Sequence, residues 1–184
     1  MLCQVFGRLC GDMVILLKEK RSVTYRILLG VWAMVAAYAI VHDQYIVRIA
    51  PEHFTEYHAP MWGIESAEWL AVGYGFRASL APGLLLGLAC VYVGREGPRR
   101  KVSVAAILKG ALTVIVLSEL LSLATGSYVY LTKKPIFSAM FYPEFSHGML
   151  ITQTIQLTCY ASSAVLSATM LVFMNRWRRN RGGN

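Results

Sequence analysis

Residues 69–93 read WLAVGYGFRASLAPGLLLGLACVYV, and this stretch decides the fold. It carries one charge, Arg77, and exceeds the roughly 20 apolar residues that a membrane-spanning helix needs. A small residue recurs at every fourth position: Ala71, Gly75, Ser79, Gly83 and Gly87. On a helix that spacing draws a stripe along one face and lets a neighbouring backbone come close. The stripe predicts a tightly packed partner, either another span or a second subunit. Pro82 removes one backbone donor and crowds the carbonyl of Ala78, which predicts a kink. Gly73-Tyr74-Gly75 falls inside the run and reads as packing, not as a nucleotide loop.

Three further runs have the same character: 27–47, 102–124 and 149–174. The whole chain agrees with them. Its 184 residues are 56% hydrophobic and 15% charged, with a mean hydropathy of +0.49. Soluble domains carry about 45–50% apolar and about 25% charged residues. Disorder is excluded by the apolar content. A disulfide scaffold is excluded because Cys3, Cys10, Cys90 and Cys159 are few, and the last two sit in apolar runs as small packing residues. The expected architecture is all-α, a polytopic membrane protein forming one four-helix domain over 1–184. Residues 1–22 form a cytoplasmic surface segment in this reading. The apolar run 13–17 is too short to span and lacks the cleavage pattern of a signal peptide. Residues 1–20 are expected either as a short helix on the membrane, with Arg8, Lys18, Lys20 and Arg21 toward the headgroups, or as a loosely ordered tail.

Lysine and arginine set the orientation. Arg8, Lys18, Lys20, Arg21 and Arg26 precede the first span; Arg95, Arg99, Arg100 and Lys101 lie between the second and third; Arg176, Arg178, Arg179 and Arg181 follow the fourth. Only Arg48, Lys133 and Lys134 lie on the opposite side. The positive-inside rule then places both termini in the cytoplasm. The net charge of +8 reads as topology and not as nucleic-acid binding, since no basic stripe interleaved with aromatics accompanies it. The outer side carries Asp43, Glu52, Glu56, Glu65, Glu68 and Glu144 and all four histidines, His42, His53, His58 and His147. Topology does not require that placement of histidine, so it is the main functional hint. Aromatics such as Trp62, Trp69, Tyr128, Tyr130 and Phe141 crowd the outer connections, as at membrane interfaces.

Counting depth at about 1.5 Å per residue puts the intramembrane polar residues in one layer of the outer half. They are His42, Asp43, Gln44, Arg77, Ser118, Glu119, Ser122, Gln153 and Gln156. Lys109 lies deeper, where its stem can snorkel to the cytoplasmic face. Charged groups in hydrocarbon seek a partner or water. Arg77 and Glu119, opposite in sign at similar depth, are expected to pair, either as a structural clasp or as the floor of an outward-facing pocket. Asp43 is expected inward, near Glu119 or Gln153, with His42 toward the outer loop; the reverse is the alternative. Candidate ligand-binding residues are therefore His42, Asp43, Gln44, Glu52, His58, Arg77, Glu119 and Gln153. His53, Glu56 and His58 form a weak metal candidate, since His and carboxylate suit zinc or copper, but their spacing fits neither zincin pattern. No cofactor motif is present in the sequence: no Gly-x-Ser-x-Gly, phosphate loop, dinucleotide fingerprint or CxxC.

The runs His42-Asp43-Gln44, Glu52-His53-Phe54-Thr55 and His58-Ala59-Pro60, with Leu70-Ala71-Val72-Gly73-Tyr74-Gly75 and Gly83-Leu84-Leu85-Leu86-Gly87, resemble a family of small bacterial integral membrane proteins. Its pattern is H-D-Q, E-Y-F-T and H-P-P, and it has no established activity. The resemblance covers about Ala39 to Gly87 and implies a bacterial inner membrane and this architecture, not a reaction. His53 stands where the pattern has tyrosine, and Arg77 where an apolar residue is expected.

Two classes of function remain, with a third beside them. The leading one is a non-enzymatic membrane protein whose outward-facing polar site binds or passes a small polar solute, a proton or a cation. Four spans enclose little by themselves, so this reading calls for a homo-oligomer or a partner subunit in the bilayer. The second is an enzyme acting on a lipid or lipid-linked substrate, with His42 or His58 as general base, Asp43 orienting it and Arg77 holding an anion such as a lipid phosphate. The third is an accessory subunit whose polar layer is only structural.

Overall fold

The computed structural model describes residues 19–59 and 61–180. Residues 1–18 of the surface segment expected over 1–22, with Cys3, Cys10, Arg8 and Lys18, lie outside the described residues, as do Pro60 and Arg181. Among the described residues there are helices and turns and no strand. The elements are α1 (Arg21–Ile49), α2 (Glu52–Thr55), α3 (Ala67–Arg95), α4 (Val104–Thr132), a 3-10 turn (Ala139–Phe141) and α5 (His147–Asn180). The long helices α1, α3, α4 and α5 are long and apolar enough to cross a membrane. Large apolar side chains cover their outer faces, among them Val41, Leu85, Leu120, Val165 and Phe173. This is the architecture of a multi-pass integral membrane protein.

Local signals set the helix starts. Ser66 and Ser103 cap α3 and α4, accepting from the backbone N–H of Trp69 and Ala106. The ends depart from the hydropathy reading. Residues 21 and 22, assigned to the surface segment, already belong to α1. The third span continues eight residues past 124, because Gly126 nests against Ile155 and Val129 is fully buried. Packing against α5, not apolar length, carries that helix beyond the apolar run. Lys133 closes it with a left-handed φ of 57°.

Two pairs make the bundle. α1 packs along α3, and α4 along α5; contact between the pairs is much sparser. The stripe on α3 is buried throughout, and its partner is α1 of the same chain. A methyl group added at Gly75 would stand 3.0 Å from the backbone of Ala39, and one at Gly87 3.0 Å from Cα of Leu28. Gly83 lies as close to Trp32. The second-subunit alternative for this stripe is thereby removed.

Apolar layers close both ends. Ile46, Phe54, Leu70, Val129, Leu150 and Ile155 pack at the end carrying α2. Ile27, Val31, Cys90, Val91, Ile107 and Ala111 pack at the basic end. There the buried Arg178 guanidinium donates to the carbonyls of Val93, Glu96 and Arg100, tying the α3–α4 connection to α5. Glu19 joins Arg95 at 2.9 Å and Lys101 at 2.5 Å. Between the two apolar layers lies a cavity.

Candidate functional site

The polar layer is built on one face of α1. Tyr38, His42 and Tyr45 stand at positions i, i+4 and i+7, so their side chains stack on the side facing α4. All three converge on Glu119. Tyr38 Oη donates to Glu119 Oε2 at 2.7 Å, Tyr45 Oη to Glu119 Oε1 at 2.9 Å, and His42 Nδ1 lies 2.9 Å from Oε2. Tyr38 Oη also lies 3.1 Å from Cys159 Sγ on α5. The carboxylate has only acceptor atoms, so His42 carries its proton on Nδ1 and turns Nε2 away. His42 is 5% exposed, and its Nε2 has no hydrogen-bond partner.

Asp43 points about 100° around the helix from His42. It lies toward α5, where it shares the wall of one cavity with Gln156. Gln156 Oε1 in turn accepts from His53 Nε2 at 3.0 Å, and His53 Nδ1 meets Thr152 Oγ1 at 3.2 Å. Both residues are buried within the bundle: the place near Glu119 that sequence reasoning assigned to Asp43 belongs to His42, and Asp43 lies toward α5 in the wall of the cavity between the apolar layers. Tyr38 and Tyr45 decide this, because their face must meet α4 and His42 shares it.

The expected Arg77–Glu119 pair is absent. Arg77 is exposed on α3, while Glu119 is held by α1. Glu119 turns to the face of α4 that meets α1, and its partners there are Tyr38, His42 and Tyr45. Gln44 also leaves the site, donating to the Glu68 carbonyl at 3.0 Å. Glu52 is half-buried beside Gly148. Gln153 donates to the Phe141 carbonyl at 2.9 Å. His58 donates from Nδ1 to the His53 carbonyl at 2.6 Å, its ring 4.6 Å from that of Tyr74.

The weak metal candidate does not converge. Both ring nitrogens of His53 have hydrogen-bond partners, and Glu56 is exposed. Among the described residues no three His, Cys, Asp or Glu side chains gather as metal ligands.

Burial, reinforced by the neighbouring His58, pushes the His53 imidazole down to about 4. The ordinary value is about 6.5, so below it the unfolded chain takes up a proton that the folded chain refuses. His53 therefore leaves stability intact above about pH 6.5 and erodes it as pH falls toward about 4. Acidification across that window should lower the melting temperature of wild type more than that of His53→Gln. Equal falls in both would remove this assignment.

The cavity between the apolar layers has a volume of about 550 Å³. Its polar end is formed by His42, Asp43, Ser79, Ser118 and Gln156, with Tyr38 and Cys159 beside them. The rest of the wall is mostly apolar, including Val35, Leu86, Ala111, Val114, Ile115 and Leu171, with Ser163 and Ser167 among them. Ser118 Oγ, fully buried, is unpartnered like His42 Nε2. Ala78, Pro82 and Leu85 on α3 and Tyr160, Ala164 and Ala168 on α5 line the cavity and are also exposed on the outer surface. They mark an opening of the cavity between α3 and α5. A second pocket of about 440 Å³, lined by His53, Tyr57, His58, Phe141 and Gln153, shares Gln156 and Tyr160 with it.

Sequence reasoning placed His42, Asp43, Ser118, Glu119 and Gln156 in the polar layer. It missed Tyr38 and Tyr45, which the i, i+4, i+7 spacing with His42 signals. Cys159, read as a packing residue, also meets Tyr38. No known protein family, curated protein or solved structure matches this chain.

Proposed function

We propose that this integral membrane protein binds an amphipathic, lipid-soluble small molecule between its four helices. The carrying observation is a cavity of about 550 Å³ between the helices, with a largely apolar wall and a polar cluster that includes His42, Asp43, Ser118 and Gln156. That cluster favours a ligand with a polar head, since polar groups enclosed without hydrogen-bond partners are costly. The apolar wall favours a hydrocarbon body over the small hydrophilic solute first considered. The mouth between α3 and α5 lets such a molecule enter from the lipid. One chain supplies all of these groups, and any homo-oligomer or complex partner uses surfaces other than the α3 stripe.

A long-chain alcohol bearing a diazirine, irradiated in proteoliposomes, tests this. Saturable labelling is expected on Leu85, Ala164 and Ala168, and Ala164→Trp, which fills the mouth, should reduce it several-fold. Labelling confined to outward positions such as Leu112 and Val116, and unmoved by that substitution, would overturn the reading.

One observation favours a second reading, an enzyme acting on a lipid-linked substrate. An imidazole oriented by a carboxylate, with its other nitrogen free, is equipped for general-base work. Chemical turnover of the bound molecule, abolished in His42→Gln, would establish it.

The orientation belongs to the same proposal, with both termini cytoplasmic and the polar end of the cavity in the outer half. Lys134→Cys should react with an impermeant thiol reagent in intact cells, and Arg99→Cys should not. The opposite pattern inverts the topology.

A further inference from the structure

We infer that a groove between α4 and α5, at the basic end of the bundle, binds an anionic phospholipid with its phosphate at Arg100 and Lys101 and an acyl chain along the two helices. The groove has a volume of about 750 Å³. It shares Val114 with the wall of the cavity and opens on a different side, between α4 and α5.

Small residues on α4 make the room. Ala106 and Gly110 stand four positions apart, on one face of the helix, and put little bulk into the space. Leu166, Met170 and Phe173 form the facing wall on α5, at spacings that also share one helix face. Gly110 lets this wall come near: a carbon added there would stand 2.8 Å from Met170 Sδ. Leu117 and Phe173 are exposed, so the groove is open along the side of the bundle. The apolar wall runs from Ala106 to Leu117 on α4 and from Leu166 to Trp177 on α5. At about 1.5 Å per residue each stretch is roughly 16 Å long. Half of a hydrocarbon core of about 30 Å is about 15 Å, so the groove matches the depth of one lipid leaflet.

Charge at the end of the groove selects the head. Arg100 and Lys101 line it, and no carboxylate does. Glu19 meets Lys101 at 2.5 Å but also Arg95 at 2.9 Å, so one carboxylate serves two cations. Arg100 has no carboxylate partner among the described residues. Its guanidinium carbon lies 5.1 Å from the ring centroid of Trp177, which holds it across the end of the groove from α4 to α5. An arginine so placed keeps N–H donors for phosphate oxygens, which a guanidinium can take two at a time. Basic pockets between membrane helices hold anionic headgroups in this way. A free phosphate would leave the apolar wall uncovered, and a zwitterionic head would bring a cation toward Arg100. An anionic phospholipid satisfies both parts.

Native mass spectrometry of the full chain in detergent, titrated with dioleoyl phosphatidylglycerol or dioleoyl phosphatidylcholine, tests the assignment. Wild type should hold phosphatidylglycerol about fivefold more tightly, the factor that corresponds to about 1 kcal/mol for a basic residue at a membrane surface. Arg100→Gln should remove most of that preference. Arg99→Gln, which deletes a neighbouring charge outside the groove, should leave it in place. Ala106→Trp, on an exposed position that fills the groove, should weaken both lipids several-fold. Equal binding of the two lipids by wild type overturns the inference, since no anionic head is then selected. Equal losses in Arg99→Gln and Arg100→Gln also overturn it, because the general charge of the basic end then accounts for the attraction. Glycerol 3-phosphate binding as tightly as the lipid, unmoved by Ala106→Trp, overturns it in favour of a free phosphate site.

Discussion

Gly87→Leu should separate α1 from α3 and cost about 3 kcal/mol or more, at or above the upper end of ordinary overpacking. The reason lies in what the new side chain meets. At Gly87 the first added carbon would stand 3.0 Å from Cα and 3.1 Å from the carbonyl oxygen of Leu28. Backbone cannot turn aside as a side chain does, so the helices must move apart, and the contact is lost along the stripe that also holds Gly75 and Gly83. Even Gly87→Ala should register. Gly110→Ala is the informative comparison: there the added carbon meets Met170 Sδ at 2.8 Å, the flexible end of a long side chain that can swing away. Leu88→Ala, on a residue 43% exposed on the same helix, should stay within about 0.5 kcal/mol. Unfolding of the purified protein in mixed detergent measures all four. Equal tolerance of Gly87→Leu and Leu88→Ala would mean that α1 does not pack on this stripe.

Glu119→Ala should be the second large loss, on the order of 3 kcal/mol or more, since each buried hydrogen-bonding group left without its partner costs about 1–3 kcal/mol. Tyr38, Tyr45 and His42 all direct hydrogen bonds at its two oxygens, so deleting the carboxylate strands three groups at once. Glu119→Gln keeps one acceptor oxygen and should cost less. Two double-mutant cycles separate the partners. His42→Gln with Glu119→Gln should show coupling of roughly 0.5–3 kcal/mol, as expected for residues in one hydrogen-bond network. Arg77→Met with Glu119→Gln should be additive, because Arg77 lies exposed away from the network. Coupling in the Arg77 cycle and none in the His42 cycle would reverse the assignment.

Polar depth was legible because rise along a helix is constant: counting residues placed His42, Glu119 and Gln156 in one layer before any helix was packed. Their partners were not legible that way. Depth is one coordinate, and choosing between Arg77 and His42 as the partner of Glu119 needs the angle of each side chain around its helix. Part of that angle was present in the chain, in the i, i+4, i+7 run of Tyr38, His42 and Tyr45. Tyrosine hydroxyls carry no charge, however, so an argument led by charge passed over them.

The sequence by itself determined four spans, the stripe of small residues on α3 and the segregation of basic residues to one side. Each depends on the composition or periodicity of a contiguous segment, and in a bilayer such segments must satisfy their backbone hydrogen bonds internally wherever they pack. Only the tertiary structure decided that α1 fills the stripe, that Glu119 gathers two tyrosines and a histidine, and that a cavity opens between α3 and α5. Those outcomes depend on the rotation and offset of one helix against another. Contacts between residues tens of positions apart set these quantities, and hydropathy along a single helix does not encode them.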